Sequence, residues 1–464
     1  MELNNLIDVM KEDIIKATQE IIKIKSVEGE AKPGMPFGEG VNKALENALG
    51  VAKELGFHTV NLDGYVGYAE YGQGEDYVLA LGHLDVVPEG DGWLYPAYGA
   101  EIHEGKMYGR GTTDDKGPIM AALFGLKAIK DANLTLSKRV RILFGTNEET
   151  GSKELEHYLE KEKPPVAGFT PDADYPIING EKGITIFNIV KDFEIKDKGE
   201  NYIKYIKGGQ AANMVPDYCE AGIISTKAES IVRALRVFVK DDENSKLSIV
   251  VNKNLVIIKS KGESAHGSLP ELGRNAIMQL LAFIGTLDLV DNDISEFIKF
   301  VNKNIGMEIH GESFGVCLED ENSGKMSFNV GTMDMDRKSA TMTLNLRYPV
   351  TSKLEDMMNP FNNKIEGTGI RVEKFVHQEP LYFSPDSPII KSLQKVYTEQ
   401  TGNEAKLVSI GGGTYAKEMP NIVAFGPMFP GEPDTIHKQN EYITIDNLIK
   451  NAKIYAHALY ELAK

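Results

Sequence analysis

Tyr77-Val78-Leu79-Ala80-Leu81-Gly82-His83-Leu84-Asp85-Val86-Val87-Pro88 is a short apolar run that ends on a histidine and an aspartate two residues apart. In an extended chain such residues face the same way, so His83 and Asp85 should project together from the end of a strand. An imidazole binds metal through a nitrogen whose lone pair is free, and a carboxylate accepting the N–H of the other nitrogen fixes that tautomer. The same pair is also an ordinary polar strand terminus. Its meaning depends on the partners that the rest of the chain supplies.

The flanking sequence sets the fold class. Upstream, Leu6, Met10, Ile14, Ala17, Ile21 and Ile24 recur at helical spacing, predicting a helix over 4–24, and Val41, Leu45, Leu49, Ala52 and Leu55 predict a second, closed by Gly56. Strand-like runs follow at Thr59–Leu62 and Tyr65–Tyr71. Downstream, a helix is expected from Ile119 to Ile129 and a strand over Arg139–Thr146. Strands alternating with helices indicate an α/β domain with a mostly parallel sheet and helices on both faces, in which ligands collect beyond the carboxyl ends of strands.

Acidic residues recur at those ends. Tyr108-Gly-Arg-Gly-Thr-Thr-Asp-Asp-Lys-Gly-Pro118 is a glycine-rich turn with Asp114 and Asp115 at its centre. The strand over 139–146 runs into Asn147-Glu148-Glu149, whose adjacent carboxylates point different ways, so that one can ligate while the other moves a proton. Asp172 closes Gly168-Phe-Thr-Pro-Asp172. Each has a plain alternative as a helix N-terminus or a turn aspartate, but independent turn residues would not recur so regularly at this location.

Composition narrows the functions. The 464 residues carry 51 Lys and Arg against 68 Asp and Glu, a formal charge of −17. Such a field argues against nucleic acid or anionic membrane as a partner. Two cysteines make neither a disulfide scaffold nor a thiolate zinc site, and they suit a reducing cytoplasm. The N-terminal region lacks the pattern of a signal peptide, and no apolar run approaches the ~18 residues of a membrane span.

From about Gly183 the acidic strand ends become rare. Residues 183–378 are expected to form an inserted α+β lid domain within a catalytic domain of residues 1–182 and 379–464. Its candidate residues are Asn213, His266 and Arg347, each with an ordinary structural or surface explanation of its own. After Pro380 the first domain resumes with a helix beginning at Ser387. Next comes Ser409-Ile-Gly411-Gly412-Gly413-Thr414-Tyr415, a glycine-rich loop that lacks the Gly-Lys-Ser/Thr ending of a P-loop, yet offers backbone N–H groups to a carboxylate. His437 lies in a polar loop before the C-terminal helix. Gly311-Glu-Ser-Phe-Gly315 matches a nucleophile elbow, but a polar, turn-rich segment follows it where that motif requires a helix.

His83, Asp114, Glu148, Glu149, Asp172 and His437 form a nitrogen-and-oxygen donor set suited to zinc, and tolerable to manganese or cobalt. Three ligating carboxylates and two divalent ions leave one positive charge, which a hydroxide neutralises. One acid then remains free to carry protons.

At this point the chain resembles the aminoacylase and carboxypeptidase G type dinuclear zinc peptidases, and among them the PepV-like, β-Ala-Xaa type bacterial dipeptidases. The motifs Gly82-His-Leu-Asp85, Gly109-Arg-Gly-Thr-Thr-Asp-Asp-Lys-Gly117, Asn147-Glu-Glu149, Pro171-Asp-Ala173, Ala265-His-Gly267, Gly411-Gly-Gly-Thr-Tyr415 and His437 fall in family order along nearly the whole chain. The resemblance implies two Zn2+, with Asp114 bridging them, His83 and Asp172 completing one site, and Glu149 and His437 the other. It implies that Asp85 orients His83, that Glu148 is the general base, and that a cis peptide follows Asp114. It assigns oxyanion stabilisation to His266 and substrate contacts to Asn213, Arg347 and the loop Gly411, Gly412, Gly413. Lys417 stands where many relatives carry arginine, and a point charge does not replace a bidentate fork. The expected substrate is a dipeptide with free termini, β-alanyl dipeptides included, and the expected state is a monomer. The alternatives are a desuccinylase-like N-acyl-amino-acid deacylase and a catalytically inactive metal-binding protein.

Overall fold

The apolar strand Tyr77–His83 is buried along its whole length because it lies inside a sheet and is flanked on both sides by parallel neighbours, Arg139–Gly145 and Ala167–Thr170. The computed structural model describes residues 2–194, 201–242, 244–290 and 292–464. The strand order is His58–Leu62, Val66–Tyr71, Arg139–Gly145, Tyr77–His83, Ala167–Thr170, Ile422–Ala424 and Ile177–Glu181. The four central strands are parallel, and the flanking pairings are antiparallel. The expected α/β class with a mostly parallel sheet is what the structure shows.

Helix Lys116–Asp131 is apolar all round, and nearly every residue of it is buried, as expected of a helix covered on more than one side. It packs on the strand Tyr77–His83 and on the C-terminal helix Ile445–Ala463. Gly82 makes the first contact possible, since a Cβ there would fall on Asp115 Oδ2 and lie 2.8 Å from Ile119 Cβ. One helix was expected over 4–24. There are two, Glu2–Val9 and Lys11–Ile22, separated at Met10, whose φ of −86° and ψ of 6° depart from the helical range.

The chain folds as two compact units, one of residues 1–179, 383–408 and 413–464, the other of residues 180–382 and 409–412. At the crossings, Phe383 N–H donates to Asn179 O at 2.8 Å and the Asn179 side chain donates to Phe383 O at 2.9 Å. In the second unit Gly180 and Glu181 pair with Tyr382 and Leu381.

The second unit is built on an eight-stranded antiparallel sheet ordered Lys246–Asn252, Leu255–Lys261, Tyr218–Ile224, Tyr202–Gly208, Ser327–Met335, Ser339–Tyr348, Gly183–Asp192 and Arg371–Gln378. Alternating burial along Gly183–Asp192 reflects a sheet with one covered face. Helices Ala276–Ile284, Asp293–Asn304 and Leu354–Ile365 contribute to its core. Among the described residues no helix is long and apolar enough to cross a membrane.

Candidate metal centre

Three neighbouring parallel strands end side by side, and each hands over its polar residues at that end. His83 is the last residue of its strand, opposite Gly145. Glu148 and Glu149 follow in a short 3-10 turn, Glu148–Thr150, and Asp172 comes two residues after Ala167–Thr170. Asp114 arrives from the loop before helix Lys116–Asp131. The Asp114–Asp115 peptide is cis. His437 comes from the loop that precedes strand Tyr442–Thr444.

The Asp114 carboxylate stands between the two imidazoles. Its Oδ1 lies 2.8 Å from His83 Nε2 and its Oδ2 lies 2.9 Å from His437 Nε2. His437 Nε2 is also 3.1 Å from Glu149 Oε1, and His83 Nε2 is 3.8 Å from Asp172 Oδ2. Ligand atoms of His83, Asp114 and Glu149 lie within 4.8 Å of one another, as do those of His83, Glu148 and Asp172. Among the described residues, the ion pairs of Asp114, Glu149 and Asp172 all run to these two imidazoles. A cluster so rich in buried carboxylate, with only imidazole to balance it, has the charge and the donor types that divalent cations fit.

The protonation states tell the same story. Burial would raise the Asp114 carboxyl, but hydrogen bonds from His437 and His83 outweigh it and hold the group well below its ordinary value. Burial disfavours the charged forms of both histidines, yet the carboxylates around them raise His83 well above its ordinary range and His437 to about 10. Glu148 is pushed up to about 8 by burial, with Asp114 and Glu149 adding to the rise against the opposing charge of His83. Burial and then Asp114 raise Asp172 in the same direction. Protons on the imidazoles and on the raised carboxyls thus offset the repulsion among these acids.

Asp85 meets the His83 ring chiefly through its backbone. His83 Nδ1 is 2.9 Å from the backbone oxygen of Asp85, whereas the carboxylate is 3.6 Å away. A carbonyl accepts only, so Nδ1 carries the proton and Nε2 is the nitrogen turned to the ligands. The carboxylate instead accepts two backbone N–H groups, from Glu148 at 3.2 Å and Glu149 at 3.1 Å. It does so because its strand end is tucked against the turn that carries them.

The second unit gathers the other candidates. Gly267 N–H donates to Asn213 O at 2.7 Å, and Met214 and His266 form an isolated β-bridge. Arg347, buried on strand Ser339–Tyr348, donates to Asn345 Oδ1 at 3.1 Å and to the carbonyl oxygen of Gly411. A Cβ on Gly411 would come within 2.6 Å of Ser268 Cβ, so glycine is needed for this approach. His266 Nδ1 lies 2.6 Å from the Ser268 hydroxyl and 3.4 Å from the Ser268 N–H, so Nε2 is the nitrogen left facing outward. Partial burial and the charge of Arg347 lower its pKa, favouring the neutral ring. Gly412 belongs to this unit as well, whereas Gly413 belongs to the first.

Sequence reasoning passed over Glu154. Its Oε1 accepts from the Tyr415 hydroxyl, so the helix after Glu149 is tied to the segment after the glycine loop. The available signal was a lone acid among the buried positions of helix Lys153–Lys161, where Leu155 and Tyr158 are the other buried residues.

Residues 79–461 match the family model described as Peptidase family M20/M25/M40. The chain is 41% identical over 458 residues to "Putative dipeptidase YtjP" of Bacillus subtilis (strain 168), covering 98% of each. Among solved structures, human carnosine dipeptidase 1 is similar with a TM-score of 0.60 at 16% identity, over 99% of this chain and 98% of that one. An M20 family metallo-carboxypeptidase, Sso-CP2 from Sulfolobus solfataricus, gives 0.58 at 17% identity, over 97% and 99%. At such identities these two likenesses speak to the fold.

Proposed function

Because the chain belongs to peptidase family M20/M25/M40, we propose that this peptidase is a dinuclear zinc dipeptidase that cleaves dipeptides with free termini, β-alanyl dipeptides among them. The observation that carries the reading is Asp114, whose two oxygens each face a different imidazole, at 2.8 and 2.9 Å. One carboxylate so divided suits a bridge between two cation sites. His83 and Asp172 would hold one ion, and Glu149 and His437 the other. Divalent ions bound there supply Lewis acidity, polarising the scissile carbonyl and bringing the pKa of a water molecule toward 7.

The chain's own residues do the rest. Glu148 is the acid left over for proton transfer. Its carboxylate takes the proton from the attacking water and returns it to the leaving amine nitrogen. Asp85 keeps the Glu148-Glu149 turn in place through the two backbone N–H groups. In the second unit, proposed as the lid, neutral His266 offers Nε2–H to the developing oxyanion. Arg347, supported by Asn345, offers a guanidinium to the substrate's carboxylate, with Asn213 and the loop 411–413 as further contacts.

The test combines elemental analysis of purified protein with rates on free dipeptides, β-alanyl dipeptides and N-acyl amino acids. We expect two zinc ions per chain and cleavage of dipeptides, with Glu148→Gln retaining the ions and losing roughly 10²- to 10⁴-fold in kcat. Preference for N-acyl amino acids would make the enzyme a deacylase. Two bound ions with no hydrolysis in any panel would make it an inactive metal-binding protein.

A further inference from the structure

Glu441 is a fully buried carboxylate four residues after His437. Its Oε1 accepts the backbone N–H groups of Gly111 at 3.0 Å, Thr113 at 3.0 Å and Asp114 at 3.3 Å. Its Oε2 accepts from the Arg110 guanidinium at 2.7 Å. The backbone on either side joins in, since Gly109 N–H donates to the Glu441 carbonyl at 3.0 Å and the Thr113 hydroxyl donates to Tyr442 O at 2.9 Å. The loop that presents Asp114 is therefore wound around a single side chain. That side chain grows from the segment that also carries His437.

A glycine-rich loop holds no fixed shape by itself, because its backbone visits many conformations at little cost. Three N–H groups converging on one carboxylate oxygen restrict it to one. The carboxylate ties two parts of the chain more than 300 residues apart, the turn of Asp114 and the stretch leading from His437 to strand Tyr442–Thr444. These are the bridging ligand and a terminal ligand of the same proposed ion.

We propose that Glu441 is a positioning residue that sets the separation of Asp114 from His437, and so determines the affinity of the Glu149–His437 ion site selectively. The inference rests on the dinuclear reading. Glu441 does not touch the ions. It acts through the backbone of Asp114, in the way that outer partners of metal ligands tune a site without binding the metal. His83 and Asp172 stand on strand ends outside the loop that Glu441 holds, and among the described residues the Glu441 side chain reaches that side only through the shared Asp114.

Stepwise zinc or cobalt titration of the metal-stripped protein tests this, in wild type, Glu441→Gln and Glu441→Asp, with the visible absorption spectrum of the cobalt forms recorded alongside. The Gln side chain puts an N–H2 group where an acceptor is needed, and the Asp side chain is one methylene too short. The expected result is a loss of roughly 10- to 100-fold in the affinity of one ion, the other holding its wild-type affinity, with a changed cobalt spectrum for the weakened site. Equal weakening of both ions, or two ions bound as in wild type by a folded variant, would overturn the proposal. If Glu441→Gln does not fold, Glu441→Asp decides by the same criteria. A wild-type protein that binds no second ion would instead overturn the dinuclear reading itself.

Discussion

Asp85 and Glu148 are joined through the backbone, the Asp85 carboxylate accepting the Glu148 N–H at 3.2 Å. The neighbouring Glu149 N–H adds a second bond at 3.1 Å, so one buried side chain sets the turn from which both glutamates project. Asp85→Ala leaves these two N–H groups without their acceptor, at a cost of about 1–3 kcal/mol each where they stay buried. His83 keeps its tautomer, since its Nδ1 partner is the Asp85 carbonyl. We expect lower stability of the metal-free protein in urea unfolding, and a fall in kcat larger than any change in metal content. Asp85→Asn, which retains an acceptor oxygen, should fall between wild type and Asp85→Ala.

Metal binding should expel protons. At pH 7 the metal-free protein keeps His437, at about 10, and His83, well above its usual range, in the charged form. Ligation requires both to be neutral, and the raised Asp172 to be ionised, so loading releases at least about two protons, measured by calorimetry in buffers of different ionisation enthalpy. No proton release would contradict the ion-paired description of the metal-free site.

The same groups give a sign to the pH dependence of stability without metal. A histidine raised from 6.5 to about 10 stabilises the fold fully below pH 6.5, and that contribution disappears as the pH climbs through about 10. Glu148, raised from 4.5 to about 8, acts in the same direction, its contribution complete below 4.5 and lost as the pH rises to about 8. Thermal melts of the metal-free protein should fall from about pH 5 to about pH 9. A melting temperature that rose across this range would reverse the assignment.

Arg347 tests the proposed carboxylate contact. Truncation to Ala should raise KM for dipeptides roughly 10- to 100-fold, the loss expected for one charge-assisted contact. Lys should recover only part of this, having no planar fork. Substrates amidated at the C-terminus should lose the difference between variant and wild type.

Gly82→Ala tests the packing of the sheet on helix Lys116–Asp131. The added methyl has to displace Asp115 or Ile119, neither of which has room to yield. Destabilisation of about 1–3 kcal/mol is expected in urea unfolding. A neutral effect would mean that the strand and helix ends separate easily.

How much of this was legible in the chain follows from what each residue leaves as a trace. His83, Glu148, Glu149 and Asp172 stood out as polar residues at the ends of apolar runs, and parallel strands bring such ends together whatever the loops between them do, while Asp114 stood out at the centre of a glycine-rich turn. His437 left no periodic trace. It lies on a polar loop with φ of +59°, so its imidazole was a candidate by residue type, and the family resemblance gave it a place. Glu441 was invisible for a similar reason, because an acid beside a short strand reads as surface until its four partners from residues 110–114 are seen. Within residues 180–382, strands Tyr202–Gly208, Tyr218–Ile224 and Ser327–Met335 went unread, since a sheet with one covered face shows only half its residues as apolar. The change of character was placed at Gly183, whereas the units divide inside strand Ile177–Glu181, where a continuous strand gives no local sign of a boundary.

The paired crossings at Asn179 and Phe383 have a consequence for how such a chain can change over time. The first unit closes its own hydrogen bonds at that doorway, Phe383 N–H to Asn179 O and the Asn179 side-chain amide to Phe383 O. The segment leaving through it and the segment returning are already neighbours. A guest of a different length could enter and leave at the same threshold, provided that it keeps the pairing of Gly180 and Glu181 with Tyr382 and Leu381. Only the short excursion at 409–412 would have to be rewritten to suit it. The doorway therefore lets the second unit vary in length while the strand ends bearing His83, Glu148, Glu149 and Asp172 keep their places.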